Sequence, residues 1–230
     1  MFFFPIGCLI LILFILALPL IFGLVFFDIL TFGFERLGIS PEAALILLIA
    51  MLVGSTINIP LTRRRVEYSH HHYFGWFEIP VRYEYGLAIN VGGALIPAGL
   101  SIYLLTKTPI LPALLSTVLM TIICKFLTRP VPGRGLAISM FIPPLLATIF
   151  ALLFSGEHAP AVAYISGVLG TLIGGDILNL NKARKLGAGI VSIGGAGVFD
   201  GIFLVGIFSL ILTTFSLPFI TPFQMPGEIY

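Results

Sequence analysis

The segment Gly170–Gly206 reads GTLIGGDILNLNKARKLGAGIVSIGGAGVFDGIFLVG and carries the features that decide the fold. It places two aspartates, Asp176 and Asp200, beside glycines in apolar sequence, with a short basic turn around Lys182 between them. Acidic side chains at membrane depth are costly and are usually kept for function. The segment therefore predicts two apolar helices that carry a buried acidic site.

Apolar residues dominate the whole chain. Of its 230 residues, 58% are hydrophobic and 10% are charged, whereas a soluble domain carries about 25% charged residues. A chain of this composition is expected to use the lipid bilayer as its solvent. We therefore predict an integral, multi-pass protein of the cell membrane. The sequence carries no basic face or nucleic-acid motif, which excludes nucleic acid as a partner, and no cofactor is expected.

Apolar runs of the length that crosses a bilayer recur seven times along the chain. They predict an all-α fold, with one integral membrane domain that covers residues 1–230. The predicted helices span approximately residues 4–27, 42–61, 86–106, 109–127, 136–154, 160–180 and 196–215.

The positions of the basic residues predict the orientation of these helices. Ten of the twelve Lys and Arg residues fall in the connections after the second, fourth and sixth predicted helices. The opposite connections hold Arg36 and Lys107. Because cytoplasmic loops are enriched in Lys and Arg, this pattern predicts a cytoplasmic N-terminus, an external C-terminus and an odd number of spanning helices.

Four polar side chains are predicted to share one layer near the cytoplasmic side of the membrane. Asn58 and Asn90 lie near the inner ends of the second and third predicted helices. Asp176 precedes the basic turn by six residues, which is about 9 Å along a helix. Glycines make Lys185–Gly197 a poor helix, and a late start of the seventh helix would bring Asp200 to the depth of Asp176.

The connection Val66–Tyr85, VEYSHHHYFGWFEIPVRYEY, is long, polar and rich in aromatic residues. Such residues favour the membrane–water interface, and EIPVRYEY alternates weakly as a strand does. We predict a short cytoplasmic loop or hairpin here. The triplet His70, His71 and His72 does not predict a metal site, because consecutive residues of a strand point to opposite faces; its role is left open.

Five motifs are specific when they occur together. They are INVGGALIP (Ile89–Pro97), PVPGRGLAI (Pro130–Ile138), FIPPLLA (Phe141–Ala147), GTLIGGDILNL (Gly170–Leu180) and SIGGAGVFDGIFLVGI (Ser192–Ile207). Together they resemble a bacterial and archaeal membrane family, domain-of-unknown-function sixteen-fourteen. The resemblance covers most of the chain after about Gly54. It implies a multi-pass membrane protein and carries no established activity.

A second resemblance, to intramembrane aspartyl proteases of the presenilin and prepilin-peptidase kind, rests on the two aspartates. Those enzymes carry one aspartate on each of two neighbouring helices, one of them in a Gly-x-Gly-Asp motif. Here Ile173 stands where the motif has its first glycine, and two residues separate Gly197 from Asp200. The resemblance implies that Asp176 and Asp200 form a catalytic dyad.

The polar residues Asn58, Asn90, Asp176 and Asp200 fit three functions. In the first, their carboxylate and amide oxygens would bind or move a cation, a proton or a small solute. In the protease alternative, one aspartate would act as a base and the other as an acid. In the third alternative they hold the helices together as part of a structural protein. Because the strict protease motifs are missing, the ion- or solute-handling function is preferred; the substrate and the oligomeric state are left open.

Overall fold

The computed structural model describes residues 3–62, 65–73, 77–131, 135–185, 190–195 and 201–220. Most of these residues are helical, as expected for apolar sequence that must satisfy its backbone hydrogen bonds internally. The α-helices in this part of the chain are α1 (Phe3–Glu35), α2 (Pro41–Gly54), α3 (Ile96–Leu105), α4 (Ile110–Leu127), α5 (Ile142–Ser155), α6 (Ala159–Gly170), α7 (Leu180–Lys185) and α8 (Gly201–Ile220).

Each of the seven predicted segments contains an apolar helix, but the helices differ in length. Within the described residues, three helical stretches are long and apolar enough to cross a membrane: Leu11–Glu35, Ile110–Leu127 and Ile142–Ala183. Three further apolar helical stretches are shorter: Pro41–Gly54, Val91–Leu105 and Gly201–Leu217. The lengths and composition therefore support a membrane protein, while the number of spans and their orientation stay predictions.

The stretch Ile142–Ala183 is not one straight helix. Gly156 has a φ of +51° and stands where the chain turns back between α5 and α6. Thr148 of α5 and the carbonyl of Ala163 in α6 consequently contact the same residue, Ser209 of α8. These three helices form the centre of the fold.

Small residues allow α6 and α8 to approach closely, as is common between membrane helices. A side chain at Gly206 would stand 2.7 Å from Val168, and one at Gly167 would stand 3.1 Å from Ser209. Ser209 donates from Oγ to the Ala163 carbonyl at 3.1 Å. This packing holds α6 against α8 from Ala163 to Val168, close to the C-terminal end of α6 where the regular helix stops.

The prediction of an all-α fold needs correction, because strands replace the predicted inner helix ends. The strands are β1 (Asn58–Pro60), β2 (Arg65–Tyr73), β3 (Phe77–Asn90), β4 (Arg129–Val131), β5 (Gly135–Ala137) and β6 (Ile190–Ile193). The second predicted helix stops at Gly54 and continues into β1. The third begins as strand β3 and becomes helical at residue 91, and the fifth begins at Ile142 after β5. Short apolar runs do not distinguish a strand from a helix by periodicity.

Strand β3 lies between the other strands of the main sheet. It pairs antiparallel with β1, where Asn58 faces Asn90 in register. It also pairs with β6, to which it runs parallel, from the pair Gly86–Ile190 to the pair Ile89–Ile193. The start of β1 and the ends of β3 and β6 therefore meet at one edge of the sheet, where the polar residues are concentrated.

The connection Val66–Tyr85 contains an antiparallel strand pair. β2 and β3 pair from Arg65–Tyr85 to Tyr73–Phe77. A second, shorter pair is formed by β4 and β5. The side of the membrane on which these hairpins lie stays a prediction.

Candidate functional site

The first part of the site is a break in the helix that carries Asp176. The prediction of one helix over residues 160–180 is wrong here: α6 ends at Gly170, a π-helical segment covers Thr171–Asp176, and a 3-10 turn covers Ile177–Asn179. A side chain at Gly174 would overlap the backbone of Thr121 in α4, which explains why glycine stands there. Single π-helical turns inside α-helices are frequent at functional sites.

Asp176 closes this π-helical segment and is half-buried. Its carboxylate oxygen Oδ2 accepts a hydrogen bond of 2.7 Å from the backbone N–H of Gly194, just after β6. A hydrogen bond to a carboxylate is stronger than one between neutral groups. The contact joins the broken end of α6 to the edge of the sheet.

The turn that supplies this N–H requires glycine. Gly194 and Gly195 have φ angles of +81° and +77°, in the region where side chains other than glycine are strained. A Cβ atom at Gly194 would also lie 2.5 Å from the Cβ of Ala94. The sequence prediction gave these glycines the role of delaying the last helix; they also turn the chain so that one amide reaches Asp176.

The second part of the site is a network of side chains across the three strands. Asn90 donates from Nδ2 to Oδ1 of Asn58 at 3.2 Å. Ser192 of β6 donates from Oγ to the same oxygen at 2.6 Å. Asn58 is exposed, whereas Asn90 is fully buried. The network is thus open to its surroundings at Asn58 and closed at Asn90.

Asn90 also organises the backbone around it. Its Nδ2 donates to the Ser55 carbonyl at 2.6 Å, and its Oδ1 accepts from the Gly93 N–H at 2.7 Å. Asn90 is therefore the N-cap of a second π-helical segment, Val91–Leu95, which leads into α3. Asparagine suits this position because its short side chain satisfies a free N–H at a helix start.

Strand β6 connects the two parts of the site. Ser192 contacts Asn58, and Gly194, two residues later, contacts Asp176. The structure therefore brings Asn58 and Asn90 together and links Asp176 to them through β6. Sequence reasoning missed Ser192 and the Gly194 amide, because residues 190–193 were not recognised as a strand. The available signal was the spacing of two between Ser192 and Gly194, which places both residues on one face of a strand.

Asp200, the fourth predicted residue, lies outside the described residues. The neighbours of the two aspartates can be compared. A Cβ atom at Gly201 would lie 3.6 Å from Ile138, and one at Gly175 would lie 4.0 Å from the same side chain. Gly175 and Gly201, which are the sequence neighbours of Asp176 and Asp200, thus both lie near the side chain of Ile138.

The donor atoms of the site are oxygens of different kinds. Among the described residues, no three His, Cys, Asp or Glu side chains lie together as a metal site. Oxygen ligands suit protons and hard cations.

Comparison with known proteins gives one family. No curated protein and no solved structure matches the chain. Residues 52–212, which include Asn58, Asn90, Asp176 and Asp200, match a family of proteins of unknown function. The match covers well over half of the chain, and the protein therefore belongs to the family described as Protein of unknown function (DUF1614).

Proposed function

We propose that this protein is an integral, multi-pass protein of the cell membrane that binds or moves a cation, a proton or a small solute at a site that contains Asp176. The observation that carries the proposal is the hydrogen bond between the Asp176 carboxylate and the Gly194 amide at a break in an apolar helix. Ionisable residues within membrane helices usually mark ion or substrate paths.

The irregular backbone around Asp176 supports this function. In a membrane, non-helical backbone is tolerated where it is buried in protein or lines a cavity. Two π-helical segments, Val91–Leu95 and Thr171–Asp176, and the edge of a sheet meet here. Discontinuous helices of secondary transporters present their free carbonyls to coupling ions in the same way.

The proposed layout retains seven spanning helices, with a cytoplasmic N-terminus and an external C-terminus. The basic connections favour this orientation. With α2 at 14 residues, or about 21 Å, the second span would cross only part of a hydrocarbon core of about 30 Å. In this proposal β1 and its partners fill the remaining depth, and the exposed side of Asn58 is the path to the site.

The first test uses a carbodiimide that enters membranes and reacts with protonated carboxyl groups. We expect dicyclohexylcarbodiimide to label Asp176 in the purified full-length protein, with less labelling as the pH rises. A competing cation at about ten times its Kd should leave about a tenth of the labelling. Labelling is read by mass spectrometry of the peptide that contains Asp176.

Asp176→Asn is the variant for this test, and Asp28→Asn is its matched control, because Asp28 lies in α1 and is exposed. Label that is lost in Asp176→Asn and retained in Asp28→Asn supports the proposal. Labelling of Asp176 that responds neither to pH nor to any of Na⁺, K⁺ and Li⁺ would contradict it and favour a structural role.

Asp200 is proposed as the partner of Asp176. Gly175 and Gly201 both lie near the side chain of Ile138, which supports this pairing. Asp176→Asn and Asp200→Asn are each expected to weaken cation protection about tenfold or more, and the double variant should lose little beyond the worse single variant, as residues of one unit behave. Strictly additive losses of cation protection would show that Asp176 and Asp200 do not act as one unit.

The alternative function is an intramembrane aspartyl protease that uses Asp176 and Asp200 as acid and base. The nearness of both Gly175 and Gly201 to Ile138 also favours the protease, since a dyad needs two carboxylates close enough to share a proton. The purified protein can be incubated with a model membrane-spanning peptide. Cleavage that both Asp→Asn variants abolish would replace the transport proposal with the protease.

A further inference from the structure

Two buried oxygen atoms beside Gly175 have no hydrogen-bond partner in the described structure: Oγ1 of Thr128 and Oδ1 of Asn179. Thr128 is 4% exposed and Asn179 is 0% exposed. A buried polar atom without a partner destabilises the folded protein. Such atoms in a native protein call for a missing partner, either water or an ion.

The two oxygens belong to one neighbourhood. Asn179 donates from Nδ2 to the carbonyls of Gly174, Gly175 and Lys125 at 2.8, 3.2 and 3.2 Å. A Cβ atom at Gly175 would lie 3.2 Å from Thr128 Oγ1. These contacts orient the amide of Asn179, so its oxygen is the atom left for a ligand.

The C-terminal end of α4, which carries a negative partial charge, lies beside the break in the helix that follows α6. Thr128 is the C-cap of α4, and its N–H is bonded to the Cys124 carbonyl. The π-helical segment ends at Asp176, next to Gly175. Carbonyls at helix C-termini attract cations, and each carbonyl that Asn179 contacts has a second lone pair.

The nearest basic side chain on α4 does not occupy the place of a ligand. Lys125 is exposed, and its Nζ lies 6.0 Å from the ring centroid of Phe126. The donor set around Thr128 and Asn179 is then made of neutral oxygens. Neutral hydroxyl, amide and carbonyl oxygens suit a monovalent cation, whereas Ca²⁺ sites usually include carboxylates.

We infer that Thr128 and Asn179 bind a monovalent cation of the size of Na⁺ between the C-terminal end of α4 and the broken end of α6. This site uses different atoms from the Asp176 site and does not depend on the function proposed for Asp176. Its cation neutralises the partial charge at the C-terminal end of α4, and it holds the break after α6 in place next to Asp176.

The test measures equilibrium binding of ²²Na⁺ to the purified full-length protein, with choline replacing sodium at constant ionic strength. Thr128→Val keeps the shape of the side chain and removes the oxygen, while Thr128→Ser keeps the oxygen. Asp176→Asn should retain sodium binding at the Thr128 site. Thr128→Val should lose at least one bound sodium per chain, and Thr128→Ser should retain it.

Thermal unfolding supplies the second readout. Because Thr128 Oγ1 has no partner within the described residues, Thr128→Val should be at least as stable as the wild type without sodium. Sodium should raise the Tm of the wild type and of Thr128→Ser by about 2–4 °C and leave Thr128→Val unchanged.

Two results would overturn the inference. If Thr128→Val binds as much sodium as the wild type and gains the same Tm, the oxygens hold water. If Asp176→Asn abolishes all sodium binding while Thr128→Val is unaffected, the Asp176 site stands and the Thr128 site does not. Sodium binding that persists in Asp176→Asn and disappears in Thr128→Val supports the inference even if labelling of Asp176 fails its own test.

Discussion

Gly92→Ala is expected to destabilise the protein by about 3 kcal/mol or more, because overpacking against rigid atoms costs about 1–3 kcal/mol and exceeds that where nothing can yield. A methyl group at Gly92 would overlap the backbone of α2 at Met51 and Ser55, and it would stand 2.8 Å from the Gly54 carbonyl carbon. These are backbone atoms and cannot rotate away as a flexible side chain would.

The end of α2 has little freedom to move aside. Its Ser55 carbonyl accepts a hydrogen bond of 2.6 Å from Asn90, and the Val91 N–H donates to Ile57 at 3.0 Å. A shift of α2 away from residue 92 would therefore break contacts at the polar edge of the sheet. The predicted loss of stability should be accompanied by loss of the Asn58–Asn90 network.

Gly99→Ala is the matched control, since Gly99 lies in α3 and a Cβ atom there has no neighbour within 4 Å. It should be neutral or stabilise the protein by about 0.4–1 kcal/mol, because alanine reduces the freedom of the unfolded chain. Both variants can be compared by chemical unfolding in the same detergent. Equal stability of the two variants would show that α2 and the Val91–Leu95 segment are not packed as described.

The regular helices were the most predictable part of this fold. The predicted helix 109–127 and the observed α4, Ile110–Leu127, agree within one residue, because a long apolar run bounded by Pro109 and basic residues has one reasonable interpretation. The last helix is described from Gly201 onward, and its predicted start near residue 196 stays a prediction because residues 196–200 lie outside the described residues. Helix ends are generally the least certain feature of such patterns.

A loop or hairpin was predicted at Val66–Tyr85, where β2 and β3 pair, but the pairing of β3 with β1 and β6 was not predicted. Asn58 and Asn90 were expected to approach each other as ends of two helices, but they face each other in antiparallel strands. Strand β1 (NIP) and the end of strand β3 (LAIN) are short apolar runs next to longer helices. Their period of two is therefore hidden in the sequence. Strand pairing between residues 58, 90 and 193 depends on contacts distant in the sequence, which no local pattern contains.

The π-helical segments had no signal beyond their glycines. Close packing is part of the role of Gly92 and Gly174, where a Cβ atom would overlap the backbone of a neighbouring helix. The insertion of a residue into a helical turn depends on tertiary contacts, such as those of Asn90 with Gly93 and of Asp176 with Gly194. The dyad of Asp176 and Asp200 stays a prediction, because Asp200 lies outside the described residues.

Asn90→Ala is expected to have the second large effect and to separate structure from chemistry at the site. Two buried backbone groups, the Ser55 carbonyl and the Gly93 N–H, would lose their partner. Each unsatisfied group costs about 1–3 kcal/mol, so a total of about 3 kcal/mol is expected. Asn90→Asp should be worse, because its carboxylate would face the Ser55 carbonyl and Asn58 Oδ1 in place of a donor.

Asn58→Ala is the control for Asn90, because Asn58 belongs to the same network but is exposed. Water can replace it as the partner of Ser192, so its loss should cost about 0.5–1.5 kcal/mol, the net value of one hydrogen bond. Free energies of unfolding measure the loss of stability, and carbodiimide labelling of Asp176 measures the loss of cation protection.

If Asn90 only shapes the backbone, Asn58→Ala will keep the cation protection of Asp176. If the two asparagines contribute ligands or the path to them, Asn58→Ala will reduce that protection while the protein remains folded. Equal stability of Asn90→Ala and Asn58→Ala would show that Asn90 does not hold α2 to the π-helical segment.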